Sequence, residues 1–421
     1  MFQSQDGLLD QIRDRFAYVD TCPEQGERIF FENAGGALTL NSVVEISAKY
    51  AAIPDNQGRE NAGSKALVDT IAKAKADAML FLNASSGQVF VGESGTELLF
   101  RLISNAVLET PEGGDVVGTS MEHPASRSAA QRWAKVARKN YISVPHNDET
   151  GSVTADDYAK YVTPNTRVAT IIHTSPVTGM GVDVGAIVKV IRAVAPDCVI
   201  IVDGIQHAAH GGLDVDSYDI DGYAISPYKM FSRHGYGLAW ISDRLAALPH
   251  DSLIGGPEGN WELGTRDTGS YATFSEVVSY FEWVGTHFTD SEDRRARIEA
   301  AGKAIHAHEQ SLTDAMLHGT GNLKGLAEYD EVSVIGGIDN PMREGLVAMN
   351  INHMPAGDLV EALNQRGIRV HIRKADHYSA NILDPLGWPS CVRVSMCHYN
   401  SEAEVARFLE AIRDIIAATR A

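Results

Sequence analysis

Two residues in this chain have the types and the placement for covalent chemistry on an amine. Asp203 closes a short apolar run, residues 198–202, that reads as a buried strand. A second strand-like piece, residues 222–225, leads into Ser226, Pro227, Tyr228 and Lys229. A carboxylate and a primary amine thus stand at the ends of two neighbouring strands. A lysine amine can form an imine with the aldehyde of pyridoxal phosphate. An acid can pair with the pyridinium nitrogen, so that the ring drains electrons from a reacting carbon. Two isolated charges at this separation are more often surface groups, so their surroundings must decide.

The elements that would position this pair alternate between strands and helices. Strands are expected at 88–93, 114–119, 141–144, 167–173 and 237–241, with the 141–144 piece antiparallel or at an edge. Helices are expected at 8–16, 64–82, 95–107, 154–161, 184–195, 274–287 and 294–317. This is the pattern of a parallel or mixed sheet flanked by helices, with loops at the strand ends carrying function. From about residue 323 the pieces shorten, with strands at 331–335, 345–351, 369–372 and 391–395 and helices at 355–366 and 402–419. That is an α+β C-terminal domain. Ser94, Gly95 and Thr96 open a helix, where small hydroxylic residues serve as a cap or, with free N–H groups and the helix dipole, as an anion site. Arg393 sits on an apolar strand, where burial demands either an internal salt bridge or an anionic ligand.

The stretches V-D-G-I-Q-H-A-A-H and S-P-Y-K-M-F, with His234 shortly after, resemble the class V aminotransferase family, in particular its cysteine desulfurase-like branch. Further matches run from F-E-N-A-G-G near the start to H-Y-N near the end, so the resemblance covers nearly the whole chain. It implies fold type I: an α/β large domain with a mainly parallel seven-stranded sheet flanked by helices, and a smaller α+β C-terminal domain. The implied division is 1–25 packing with the small domain, 26–290 as the large domain and 291–421 as the small one.

The resemblance also implies roles. Lys229 carries pyridoxal phosphate, and Asp203 faces the ring nitrogen. His123 stacks on the ring, close to the proton that catalysis moves. Gly95, Thr96 and Ser226 hold the phosphate, and Thr265 reaches the cofactor of a neighbouring subunit, implying a homodimer with shared sites. Asn33, Ala34 and the loop of Arg59 border the substrate, and Arg393 clamps the α-carboxylate of an amino acid. Pro176 stands where the family places an asparagine on the ring hydroxyl, which leaves Gln206 for that contact. The loop 369–387 is where desulfurases carry the persulfide cysteine; here Asp376, His377 and Tyr378 occupy it, with His377 a candidate for contacting or protonating substrate. A thiolate is what accepts sulfur, so a lyase working through a Cα carbanion without persulfide transfer is expected, by desulfination, C–S cleavage or a decarboxylation-aldol reaction. An aminotransferase or epimerase is the alternative, and a non-catalytic scaffold the alternative of another class.

Composition narrows the field further. A chain of 421 residues with 44% apolar content can bury a large core, and its length suggests about two domains. A formal net charge of −19 excludes the basic footprint of a general nucleic-acid binder and any basic patch for anionic membranes. The four cysteines are scattered without a C-x-x-C pair, which suits a reduced compartment. With no signal-like start and no long apolar run, a cytoplasmic protein is expected, and no metal site is anticipated.

Overall fold

The computed structural model describes Phe2 and residues 7–420. Its larger unit is a seven-stranded sheet in the spatial order Gln88–Gly92, Gly237–Ile241, Gly222–Ile225, Val199–Asp203, Thr166–Ile172, Asp115–Thr119, Asn140–Val144. Gly237–Ile241 runs antiparallel to both neighbours, and the other pairs are parallel. The mainly parallel sheet expected from the sequence is therefore present. Asn140–Val144 is indeed an edge strand, but it pairs in parallel with Asp115–Thr119.

Alternation along the central strands feeds two apolar layers. Val199 and Ile201 face a cluster with Leu98 and Leu102 of helix Gly95–Glu109 and Ala129 of helix Pro124–Val136. Ile200 and Val202 face the opposite layer, with Ile187 of helix Val184–Val194 and Phe274 and Phe281 of helix Thr268–Gly285. Each such fully buried side chain stabilises the sheet by about 1.5–3 kcal/mol. Helix Thr268–Gly285 starts earlier than its apolar periodicity suggests. Asp267 caps it through the Gly269 amide at 2.8 Å, and the small residues of its first turn are buried without giving a periodic signal. Helix Asn41–Ala51, unassigned from sequence, has Val43 as its one fully buried residue, which explains the weak pattern.

The smaller unit is a four-stranded antiparallel sheet in the order Val332–Val334, Leu346–Ile351, Ser390–Ser395, His371–Lys374, covered by helices Ala356–Asn364 and Glu402–Arg420. The early strand Ile29–Phe30 pairs in parallel with Ile368–Arg369, and Phe31 packs in this second core with Val392 and Phe408. Helix Arg294–His318 joins the two cores: Ile298 and Ile305 lie in the first, Leu312 and Met316 in the second. The N-terminal helix Leu8–Arg13 buries Leu8 and Ile12 in the larger core, while Arg13 Nη1 donates to the Tyr399 carbonyl at 2.7 Å. The segment therefore contacts the larger core and the C-terminal stretch around Tyr399. No helix among the described residues is long and apolar enough to cross a membrane.

Candidate active site

The site lies beyond the carboxyl ends of the parallel strands, where open α/β sheets present their loops. Strand Val199–Asp203 delivers Asp203, and strand Gly222–Ile225 passes through Ser226 into the turn Pro227–Lys229. Asp203, Lys229, Gln206, Ser226, Thr96 and His123 wall one cavity. Lys229 Nζ donates to Gln206 Oε1 at 3.3 Å. Burial pushes the ammonium down to about 7, and Arg393 adds to this while Asp203 opposes it. The neutral amine that imine formation requires is thus available near neutrality. Burial raises the Asp203 carboxyl to about 6, against the pull of the Ile205 amide 3.1 Å away and of Lys229. A cation placed beside it would stabilise the carboxylate and be stabilised in turn.

His123 is the N-cap of helix Pro124–Val136: its Nδ1 accepts the Ala125 amide at 3.2 Å. That bond fixes the tautomer, and burial, followed by Lys229, pushes the imidazole down to about 3. The ring is therefore neutral at neutral pH, which is compatible with stacking on a cofactor ring.

At the other end of the cavity, Ser94 Oγ accepts the Glu97 amide at 3.1 Å and Glu97 Oε2 accepts the Glu93 amide at 3.1 Å. This reciprocal cap leaves the Gly95 and Thr96 amides at the positive end of the helix without intrahelical acceptors. The packing there admits no side chain at two glycines. A Cβ on Gly95 would lie 2.3 Å from Ser226 Oγ, and one on Gly237 would lie 2.4 Å from the Ser94 carbonyl carbon. A helix start of this kind, with the Ser226 hydroxyl close by, is compatible with an anion as well as with the cap.

The substrate side is closed by the smaller unit. Arg393 is 1% exposed, and Nη1 donates to the Pro176 carbonyl at 3.0 Å. It has no carboxylate partner among the described residues, so the internal salt bridge that the sequence left open is not made. Burial, with Arg373 adding, lowers the guanidinium to about 9, still charged at neutrality. Asn33 spends its amide on the scaffold: Nδ2 donates to the Ser395 carbonyl at 2.9 Å, and Oδ1 accepts from Tyr399 Oη. The Ala34 amide donates to Ser395 Oγ at 2.9 Å. The N-A-G turn is thus fastened to the C-terminal H-Y-N segment.

Gly95, Asn33, Ala34 and Arg393 are not among the residues that line the cavity, and three further expected residues are exposed. Arg59 and Thr265 are exposed, and Thr265 lines a separate surface groove with Asp55 and Arg266. His377 is exposed, and its carbonyl accepts from Arg127 Nη2 at 3.2 Å. Its neighbour Tyr378 comes closer, with its ring 5.9 Å from that of His123.

Several site groups escaped the sequence reading. Tyr228 lines the cavity and stacks on His234 at 4.3 Å. Arg373 pairs across the small sheet with Cys391, so residues 373, 391 and 393 share one face. The Arg373 guanidinium acts on Lys229, His123 and Arg393 alike. Glu122, 1% exposed, stands behind Asp203, and burial followed by Asp203 raises it to about 8 against the pull of Thr170 and Ser126. The arginine lies just past the strand expected at 369–372, and its face depends on a register that only pairing fixes.

The model of the family described as "Aminotransferase class-V" matches residues 29–408. A "Probable cysteine desulfurase" of Halobacterium salinarum is 28% identical, over 96% of this chain and 95% of its own. The "Cysteine desulfurase-like protein ustD" of Aspergillus flavus is 25% identical, over 97% and 90%. Among solved structures, an apo cysteine desulfurase from Thermococcus onnurineus superposes with a TM-score of 0.83 at 20% identity, over 97% of this chain and 98% of that one. Members of this group use pyridoxal phosphate, and the cavity bounded by Lys229, Asp203 and the Gly95 turn fits it. The chain has the fold type I architecture and belongs to the class V aminotransferase family of pyridoxal-phosphate-dependent enzymes.

Proposed function

We propose that this enzyme is a lyase acting on an α-amino acid that carries a second acidic group, by a desulfination or decarboxylation type of reaction. The observation that carries the reading is Arg393, a buried guanidinium without a carboxylate, bonded to Pro176 of the cavity lining and, with Arg373, close enough to lower the Lys229 ammonium. Burying an unpaired charge is costly, and a substrate carboxylate in bidentate contact offsets that cost. Arg373 adds a second cation on the same sheet face, with Asp376 its nearest acidic influence and no ion pair among the described residues. That favours a side-chain sulfinate or carboxylate.

When bound, pyridoxal phosphate supplies an electron-withdrawing ring that stabilises negative charge on the substrate carbon. This chain's residues do the rest. Asp203 would hold the ring nitrogen charged, His123 would cover a ring face, and Gly95, Thr96 and Ser226 would hold the phosphate. The Lys229 amine, with its midpoint of about 7, can take up and return a proton near neutrality.

Persulfide transfer is disfavoured. Cys391 is fully buried beside Ala34 and Leu383, and burial pushes its thiol up to about 12. Burial holds the Cys397 thiol well above its ordinary range as well. Neither offers the exposed thiolate that sulfur transfer needs. An aminotransferase or epimerase uses the same Lys229 and Asp203 and is the second reading. The intact lysine, acid and arginine speak against a scaffold.

We also propose a homodimer. The stretch before helix Thr268–Gly285 that also carries Thr265 exposes Leu253 (68%) and Ile254 (107%). A second copy docked there would cover them and bring Thr265 toward its own cavity.

The test is a product screen with L-cysteine sulfinate, L-aspartate and L-alanine. Sulfite or carbon dioxide release supports the lyase. Keto acid formed with the pyridoxamine form of the cofactor would replace it with transamination. A persulfide on Cys391 or Cys397 that turns over would overturn the exclusion of sulfur transfer.

A further inference from the structure

A line of buried polar groups leads from the lysine out of the cavity and into the helix that joins the two units. Lys229 Nζ donates to Gln206 Oε1 at 3.3 Å, and Gln206 Nε2 meets His210 Nε2 at 3.4 Å. His210 Nδ1 meets Glu309 Oε2 at 2.7 Å. Gln206, His210 and Glu309 are 6%, 6% and 1% exposed, so water cannot substitute for any partner. Gln206 and His210 lie one helical turn apart around the turn His207–Ala209. Glu309 belongs to helix Arg294–His318, whose two ends pack in different cores.

Gln206 turns Oε1 toward Lys229 and Nε2 toward His210 Nε2, so that ring nitrogen accepts from the amide and Nδ1 carries the hydrogen given to Glu309. Burial opposes a charge on His210, but Glu309 outweighs it and raises the imidazole, so this arrangement belongs to the neutral ring above that raised midpoint. The amide, having turned its NH2 toward His210, is left with its carbonyl toward Lys229. We propose that Glu309 and His210 are positioning residues, which fix the orientation of the Gln206 amide and so present an acceptor to the lysine that carries the cofactor. Neither touches the reacting atoms. The thiol of Cys397 lies within 4.8 Å of the facing atoms of both residues and is held protonated, so it does not compete as an anion for the His210 hydrogen.

A second carboxylate repeats the arrangement on the other histidine of this turn. Glu344 meets His207 Nδ1 at 2.6 Å and accepts from Thr174 Oγ1, a cavity residue, at 2.8 Å. The turn after Asp203 is thus held on both sides by acids supplied from beyond the large sheet.

The inference rests on the assignment of Lys229 as the cofactor lysine, and its test works without the cofactor. In the cofactor-free protein, competitive acetylation of Lys229, followed by mass spectrometry over a range of pH, gives the midpoint of its amine. Glu309→Gln can donate to Nδ1, which reverses the His210 tautomer and turns the Gln206 NH2 toward the amine. A donor facing an ammonium disfavours it, so the midpoint should fall by about one unit. Glu309→Asp, which still only accepts, should keep the wild-type midpoint. An unchanged midpoint in folded Glu309→Gln, or equal shifts in both variants, would overturn the proposal. Should Glu309→Gln fail to fold, His210→Met, which removes the acceptor for the amide, must lower the midpoint or the proposal is wrong. Visible absorbance of the cofactor-loaded protein, lost in Lys229→Ala, tests the cofactor assignment separately.

Discussion

The Arg393 guanidinium donates to the Pro176 carbonyl at 3.0 Å, joining a strand of the smaller unit to the loop that leaves strand Thr166–Ile172 of the larger one. That bond holds a buried cation over the cavity and leaves most of its donors free. Arg393→Lys keeps the charge but loses the planar fork. The expected result is a rise in KM for the amino acid of about 10- to 100-fold, with visible absorbance of the bound cofactor unchanged. Substrate titration followed by that absorbance checks it.

The lowered midpoint of Lys229 predicts how cofactor capture depends on pH. The nucleophile is the neutral amine, so the rate should rise with pH and level off above about 7. A free lysine would still be rising toward its ordinary value. Stopped-flow absorbance of cofactor-free protein mixed with pyridoxal phosphate measures this.

Asp203→Asn should leave cofactor capture intact, because Lys229 and the Gly95 turn are untouched. Turnover should fall on the order of 100-fold or more, since a neutral amide cannot hold the ring nitrogen charged. Parallel loss of capture and turnover would instead mean that Asp203 holds the fold.

Gly237→Ala would place a Cβ 2.4 Å from the Ser94 carbonyl carbon and 2.6 Å from the Gly95 nitrogen. Backbone cannot give way as a side-chain tip does. Overpacking of this kind costs about 1–3 kcal/mol. Cofactor affinity, read by equilibrium dialysis, should drop by about 5- to 100-fold.

Glu122 gives a stability prediction. Its folded midpoint of about 8 lies above the ordinary 4.5 of a glutamate, because burial, then Asp203, disfavour its charge. Its contribution to stability is fully present below the unfolded value and is lost as pH rises through the folded one. Glu122→Gln removes that loss. Between pH 5 and pH 9 the variant should gain on wild type by a few kcal/mol, on the order of the shift. Denaturant melts at the two pH values check the sign.

The alternation of short apolar runs with amphipathic stretches was enough to read the sheet, while the cofactor followed from the resemblance carried by the stretches around Asp203 and Lys229. Those features are local: a strand's burial and a helix's cap are written in neighbouring residues. Helix Asn41–Ala51 was not legible, because it buries one side chain fully and so carries little periodic signal. The side chain of Asn33 looked available in sequence, yet Ser395 and Tyr399 hydrogen-bond to it from more than 360 positions away.

By itself the sequence determined the order of the elements and the identity of the groups that bind and carry charge. Tertiary structure alone decided which of those groups meet. Cross-strand register put Arg373 on the face of Arg393, and the packing of helix Arg294–His318 set Glu309 against His210. Burial then set the protonation of Lys229, His123 and Glu122. The reason is that contact and desolvation depend on distance in space, which residues far apart in the chain settle jointly.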